Sequence, residues 1–163
     1  SNTSCGLAQS GKGYLWADEE KCYWMDPTDG DTLTWLRAIV QELKDMGFDE
    51  VVFSEFRIPV TDRISFKADR EQAIRDAADS LVASCATDNF AVSFMTSDSS
   101  FPLPEGRSRI YLENISAKNV GAVAAQINLA DPQVRIVFIS NTSDTRFDEY
   151  SAMRPLSMFS MNQ

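Results

Sequence analysis

Histidine is absent from all 163 residues, and that one gap removes a large part of enzyme chemistry. Ser-His and Cys-His catalytic arrangements are excluded, as is every zinc site that depends on imidazole. Long apolar runs are missing too. None reaches the roughly 18 residues a membrane-spanning helix needs, and no apolar signal segment is present, so no membrane span is expected. Positive charge is scarce: 24 acidic against 15 basic residues give a net charge of -9. Such a surface repels phosphate backbones, and no Lys/Arg cluster interrupts it, so nucleic acid is not an expected partner. The sequence contains no Gly-x-Gly-x-x-Gly, no Walker-type loop and no Cys-x-x-Cys. Nucleotide, phosphate and redox sites therefore lack support, and no cofactor is expected. EF-hand spacing is also missing, and no metal site is assigned.

Cysteine is sparse, with three in the chain. Cys85 falls on the apolar stripe of a predicted helix, whereas Cys5 and Cys22 lie in loop-like sequence. Two readings stand open: a Cys5–Cys22 disulfide, which would point to an oxidising, extracytoplasmic location, or three unrelated reduced thiols.

What is present is enough apolar material, 44% of residues, to bury a single core. The chain opens Ser1-Asn2-Thr3 without methionine, which reads as a processed or tagged end of a piece of a larger protein. Residues 1–20 are rich in Gly, Ser and charge and read as an irregular lead-in, with residues 21–163 as one α/β domain. Lys21–Met25 is a short apolar run stopped by Asp26-Pro27-Thr28-Asp29-Gly30, a first strand and a turn. From Asp31 to Met46, Trp35, Leu36, Ile39, Val40, Leu43 and Met46 recur at helical spacing, with Asp31 or Thr32 to cap the start and Gly47 to close the end. Glu50–Phe56 is a strand stopped by Pro59.

A second helix starts near Asp69, with Ala73, Ile74, Ala77, Ala78, Leu81, Val82 and Cys85 on one face, and runs to about Thr87. Phe90–Met95 is the next strand. A long loop, Thr96 to Arg107, stands where a helix would be expected. Arg109–Leu112 is a fourth strand, Ser116 caps a third helix carrying Val120, Val123, Ala124 and Ile127, and Val134–Ile139 is a fifth strand. Asn141 to Gln163 reads as loop, with a short helix around Asp148–Met153. Near-continuous apolar strands alternating with amphipathic helices predict a parallel sheet of about five strands covered by helices. Two architectures satisfy the rhythm: part of a TIM-type (β/α) barrel, or an open doubly wound sheet.

One stretch carries a resemblance. Trp24-Met25-Asp26-Pro27, then a helix, then Glu42-Leu43-Lys44-Asp45-Met46-Gly47-Phe48-Asp49-Glu50-Val51-Val52-Phe53-Ser54-Glu55-Phe56-Arg57-Ile58-Pro59, resembles the middle of a bacterial family of glycosyl hydrolase domains, distant relatives of amylase-type barrels. That family shows a W-x-D-P strand end, then GFDEI, then a strand closing F-D-Y-x-R-F-P. The match covers residues 23–59, and would make this chain the C-terminal portion of such a barrel. The resemblance implies action on polysaccharide at the C-terminal rim of the strands, either as a hydrolase or as a catalytically silent domain that binds a glycan or another protein.

Glycoside cleavage takes two carboxyl groups about 5 to 9.5 Å apart, one to protonate the leaving oxygen and one as base or nucleophile. Ser54 stands where the family keeps its aspartate, with Glu55 next to it, and Asp98 follows the next strand only within the loop. The acids to test are therefore Asp26, Glu55 and Glu113, with Arg57 orienting them and Trp24 and Asn114 available to hold sugar. Each has a plain structural counterpart. Asp26 opens a turn, Glu55 pairs with Arg57 or Arg63, and Asn114 precedes a helix cap. Carbohydrate is the expected partner, with an upstream domain or a second copy completing the sheet.

Overall fold

The computed structural model describes residues 5–154. Among them are five strands, β1 (Glu50–Ser54), β2 (Ala91–Thr96), β3 (Ile110–Glu113), β4 (Ile136–Ile139) and β5 (Ser151–Met153), interleaved with four helices. These are α1 (Gly30–Asp45), α2 (Arg70–Cys85), α3 (Val120–Ile127) and the one-turn α4 (Pro132–Arg135). The strands lie side by side in chain order, every neighbouring pair parallel. The protein is thus an α/β fold with an open, five-stranded, all-parallel sheet. Its connections all step in one direction across the sheet, and the strand order never reverses.

The period of two along each strand sorts side chains onto two faces. Val51 and Phe53 pair with Val92 and Phe94, Phe94 with Ile110, and Ile110 and Leu112 with Ile136 and Phe138. Those residues form one continuous apolar face. Val40 of α1 and Ala78, Leu81, Val82 and Cys85 of α2 cover its first half, while Val120 and Ala124 of α3 and Phe147 cover the second. All three longer helices therefore sit on the same side; for α2 and α3, which connect strands, this is what right-handed crossovers stepping in a single direction require.

The other face carries Glu50, Ser93 and Tyr111. Glu50 accepts from Ser93 Oγ at 2.5 Å and from Tyr111 Oη at 2.8 Å, and Arg109 Nη1 stands 3.4 Å from the same carboxylate. Burial, then the neighbouring Glu50 carboxylate, pushes the Tyr111 phenol above its usual value.

Helix ends follow local chemistry. Asp29, rather than Asp31 or Thr32, caps α1, its Oδ1 accepting from the amides of Asp31 (2.8 Å) and Thr32 (3.3 Å). Gly47 closes that helix at φ +89°, a conformation that favours glycine. Asp69 caps α2 through the Gln72 amide at 2.7 Å. All seven residues assigned to the apolar face of α2 are buried.

Three segments depart from the sequence reading. Lys21–Met25 is not a strand of the parallel sheet. It forms antiparallel bridges instead, Met25 with Gly6 and Tyr23 with Ala17, because Leu7 and Cys5 supply its hydrogen-bond partners: Leu7 N to Trp24 O and Asp26 N to Cys5 O, both 2.8 Å. The lead-in before it is packed, not irregular in the sense of loose. Leu7 (1% exposed) and Trp16 (8%) join Ile58, Ile64, Ala73 and Ile74 in a third apolar cluster. At the other end, residues 151–153 form β5, paired through Ser151–Val137, Ala152–Phe138 and Met153–Ile139. The helix expected around Asp148–Met153 reduces to a single 3-10 turn upstream, Thr145–Phe147. The rest of the predicted C-terminal loop, 155–163, lies outside the described residues. The long loop after β2 has a structural task as well: Phe101 packs against all three clusters, and Arg135 ties down the carbonyls of Pro104 (2.5 Å) and Ser108 (3.1 Å).

Candidate functional site at the C-terminal edge of the sheet

Two clefts meet at the end of β1. The first, of about 570 Å³, is bounded by Asp18, Tyr23 and Trp24 on one side and Phe53 to Arg57 on the other. The second, of about 390 Å³, runs along the C-terminal ends of β1, β2 and β3, between the start of α2 and the loop after β2. Ser54, Glu55, Phe56 and Arg57 line both. In parallel α/β sheets the strand C-termini are where ligands bind.

The ridge between the clefts is built from a backbone irregularity. β1 ends at Ser54, and Glu55 then adopts φ +54°, a left-handed conformation that costs a side chain with a Cβ roughly 1–2 kcal/mol. A tight turn follows, the Arg57 amide donating to the Glu55 carbonyl at 2.8 Å. It sends Phe56 inward against Phe94 (5.0 Å between ring centroids) and Phe53 (5.8 Å), and turns Arg57 outward. Arg57 Nε then donates to Glu55 Oε2 at 2.7 Å, and its guanidinium lies over the Trp24 ring, 4.9 Å from the centroid. Trp24 is fixed from beyond, its indole N–H donating to Asp18 Oδ2 at 2.9 Å. The Cys22 amide, then that indole, holds the Asp18 carboxyl below its ordinary value. The row Asp18–Trp24–Arg57–Glu55 is thus continuous, two hydrogen bonds and one cation–π contact in sequence.

The predicted site residues separate into two groups. Glu55, Arg57 and Trp24 come together, and Glu113 at the end of β3 faces the second cleft with Glu55. Asp26 and Asn114 do not join them. Asp26 Oδ1 accepts from the Thr28 amide (2.8 Å) and hydroxyl (2.6 Å), holding the turn before α1. Asn114 is exposed beside β3 at φ +60°, a conformation asparagine tolerates well. Asp98 lines the second cleft, but its Oδ1 is engaged by Ser100 N (2.8 Å) and Oγ (2.6 Å). The two N-terminal thiols face different partners, Cys5 Sγ lying 3.8 Å from Asp29 Oδ1 and Cys22 Sγ 4.0 Å from the Glu20 carbonyl. Arg70, which the sequence did not single out, also lines the second cleft.

Fold and cleft together define an α/β protein with an open parallel sheet and, at its strand C-termini, an aromatic-edged groove carrying Glu55, Arg57 and Glu113. In fold, the chain is similar to the crystal structure of a hypothetical protein from Ruminiclostridium thermocellum ATCC 27405, with a TM-score of 0.50 and 22% sequence identity. The likeness covers 57% of this chain and 48% of that one, so the chain spans about half the length of that protein. No protein-family model matches the sequence, and no curated protein matches it.

Proposed function

We propose that this chain is a carbohydrate-binding α/β domain, its ligand lying along the two joined clefts, and that on its own it binds glycan without cleaving it. The observation that carries this reading is the Trp24–Arg57–Glu55 row. It presents a flat aromatic edge, a guanidinium and a carboxylate on one ridge, the mixture that covers a sugar ring and fixes its hydroxyls. Cleavage fits less well. Glu55 Oε2 is occupied by Arg57, and Ser54 holds the position where the resembled family keeps an acid. Glu113, on the second cleft, comes from β3, two strands across from β1, and Asp98 on the same cleft is engaged by Ser100.

Titration with neutral and acidic plant and bacterial oligosaccharides, followed by tryptophan fluorescence and by reducing-end release, tests it. Saturable binding without release of reducing ends, weakened in Trp24→Ala, supports the reading. Release of reducing ends by the parent and not by Glu55→Gln would replace it with a hydrolase.

A second reading concerns the sheet. Among the described residues β1 has no neighbour on its outer edge, and Val52 (37%) within it and Phe48 (52%) just before it are exposed. Open edges with apolar surroundings recruit further strands, which favours a preceding segment of the natural protein or a second copy pairing there. Concentration-dependent mass by light scattering, lost in Val52→Lys, would identify the second copy. A monomer at every concentration would overturn the second-copy reading.

A further inference from the structure

Arg70 is the first residue of α2 and lines the second cleft. Its Nε is buried and meets no acceptor, and its guanidinium has neither hydrogen bond nor ion pair among the described residues. The acids around it are committed elsewhere. Asp69 caps the Gln72 amide at 2.7 Å, Glu71 holds Arg75 at 3.2 Å, Asp98 holds Ser100, and Glu55 holds Arg57. A buried donor left unmatched is costly, and native structures rarely keep one without a purpose. On the same cleft Glu113 shows the opposite lack, a carboxylate with no donor among the described residues.

We propose that the glycan bound here is an acidic one, a chain of uronic acid units. The two terminal nitrogens of the Arg70 guanidinium take a ring carboxylate side by side, and Glu113 accepts from ring hydroxyls. The inference rests on the carbohydrate reading above and names the class of sugar. It also accounts for selectivity. A protein of net charge -9 repels polyanions in general, so an acidic chain is retained only where it meets cations, here Arg70 and the neighbouring Arg57 on the same cleft.

The test compares oligouronides, galacturonate, glucuronate and mannuronate oligomers, with their methyl esters, which keep the rings and remove the charge. A charge-assisted hydrogen bond is worth enough to make the free acid bind the wild type about 10- to 100-fold more tightly than its ester. Arg70→Gln is expected to erase that preference while ester affinity stays, and Arg70→Lys to keep part of it. The acid-against-ester comparison on the wild type needs no variant, so a poorly folding Arg70→Gln leaves the inference open to refutation. Equal affinity of the wild type for acid, ester and neutral oligosaccharides would overturn the acidic-sugar inference alone and leave glycan binding standing. A preference for acid that survives in well-folded Arg70→Gln would overturn the role of Arg70. No binding to any sugar removes both readings together.

Discussion

Replacing Glu55 with glycine and, separately, with glutamine divides what its backbone does from what its carboxylate does. At φ +54° the left-handed cost is about 1 kcal/mol or more for any residue with a Cβ, and glycine removes it. Both substitutions lose the ion pair with Arg57, whose side chains are 57% and 65% exposed for Arg57 and Glu55. An ion pair that open contributes about 0.2–1 kcal/mol. Glu55→Gln keeps the strain and loses the pair, so it is expected to be destabilised by up to about 1 kcal/mol. Glu55→Gly gains and loses comparable amounts, and is expected to fall within about 0.5 kcal/mol of the parent or above it.

The two variants should therefore differ by about 1 kcal/mol, or about 2–4 °C in melting midpoint for a domain of this size. Urea unfolding by circular dichroism reads the difference, and glycan titration reads function in the same samples. Both variants are expected to bind glycan more weakly, so the glycine variant combines parental stability with lost affinity. Glu55→Gly unfolding more easily than Glu55→Gln would refute the reasoning, since the left-handed turn would then not be a source of strain.

Trp24→Ala removes the surface under Arg57 and the donor to Asp18. Glycan affinity is expected to fall at least tenfold with a modest stability loss of about 1 kcal/mol for the cation–π contact, measured by titration and urea melts. Leu81→Ala, at a fully buried position between α2 and the sheet, should cost about 2–5 kcal/mol in the same melts. Asp144 is held at about 2 by hydrogen bonds from Arg146. Its folded value lies below its ordinary 3.8, so the stability it contributes is complete above pH 4 and is lost as pH falls from there toward 2. An Asp144→Asn variant should show a shallower loss of stability over that window. Tyr111 behaves in the opposite sense. Its raised value makes the stability it contributes complete below about pH 10, its ordinary value, and lost as pH rises further. Tyr111→Phe should flatten the alkaline limb of a stability-against-pH curve.

Much of the fold was legible because helix period and strand composition are local signals. The seven buried residues of α2 were readable from spacing alone. The runs Glu50–Phe56, Phe90–Met95, Arg109–Leu112 and Val134–Ile139 each overlap a strand of the sheet, their ends shifted by one or two residues. What could not be read was which backbone each segment pairs with. Lys21–Met25 has the composition of a buried strand, yet Leu7 and Cys5 reach it first and draw it into antiparallel bridges. β5 is the converse case. Ser151, Ala152 and Met153 are exposed and carry no alternating pattern, so only the ladder to Val137–Ile139 makes them a strand.

The site was half legible for a related reason. Strict alternation places Glu55 opposite Ser54, but alternation holds only while the strand continues, and here it stops at Ser54. Arg70 left no trace in the sequence, because an arginine after a capping aspartate is ordinary and only tertiary structure shows that its Nε is unmatched. The left-handed turn also explains why a carboxylate at this position is informative. The fold needs the turn so that Phe56 can enter the core against Phe94 and Phe53. Glycine would satisfy that need at lower cost, since it has no Cβ to crowd the carbonyl. A glutamate in its place gives up about 1 kcal/mol of backbone stability and regains about 0.2–1 kcal/mol through an exposed ion pair, so it brings no net stability. Packing therefore does not account for the residue. What glycine could not supply is the carboxylate itself, held by Arg57 at the junction of two clefts.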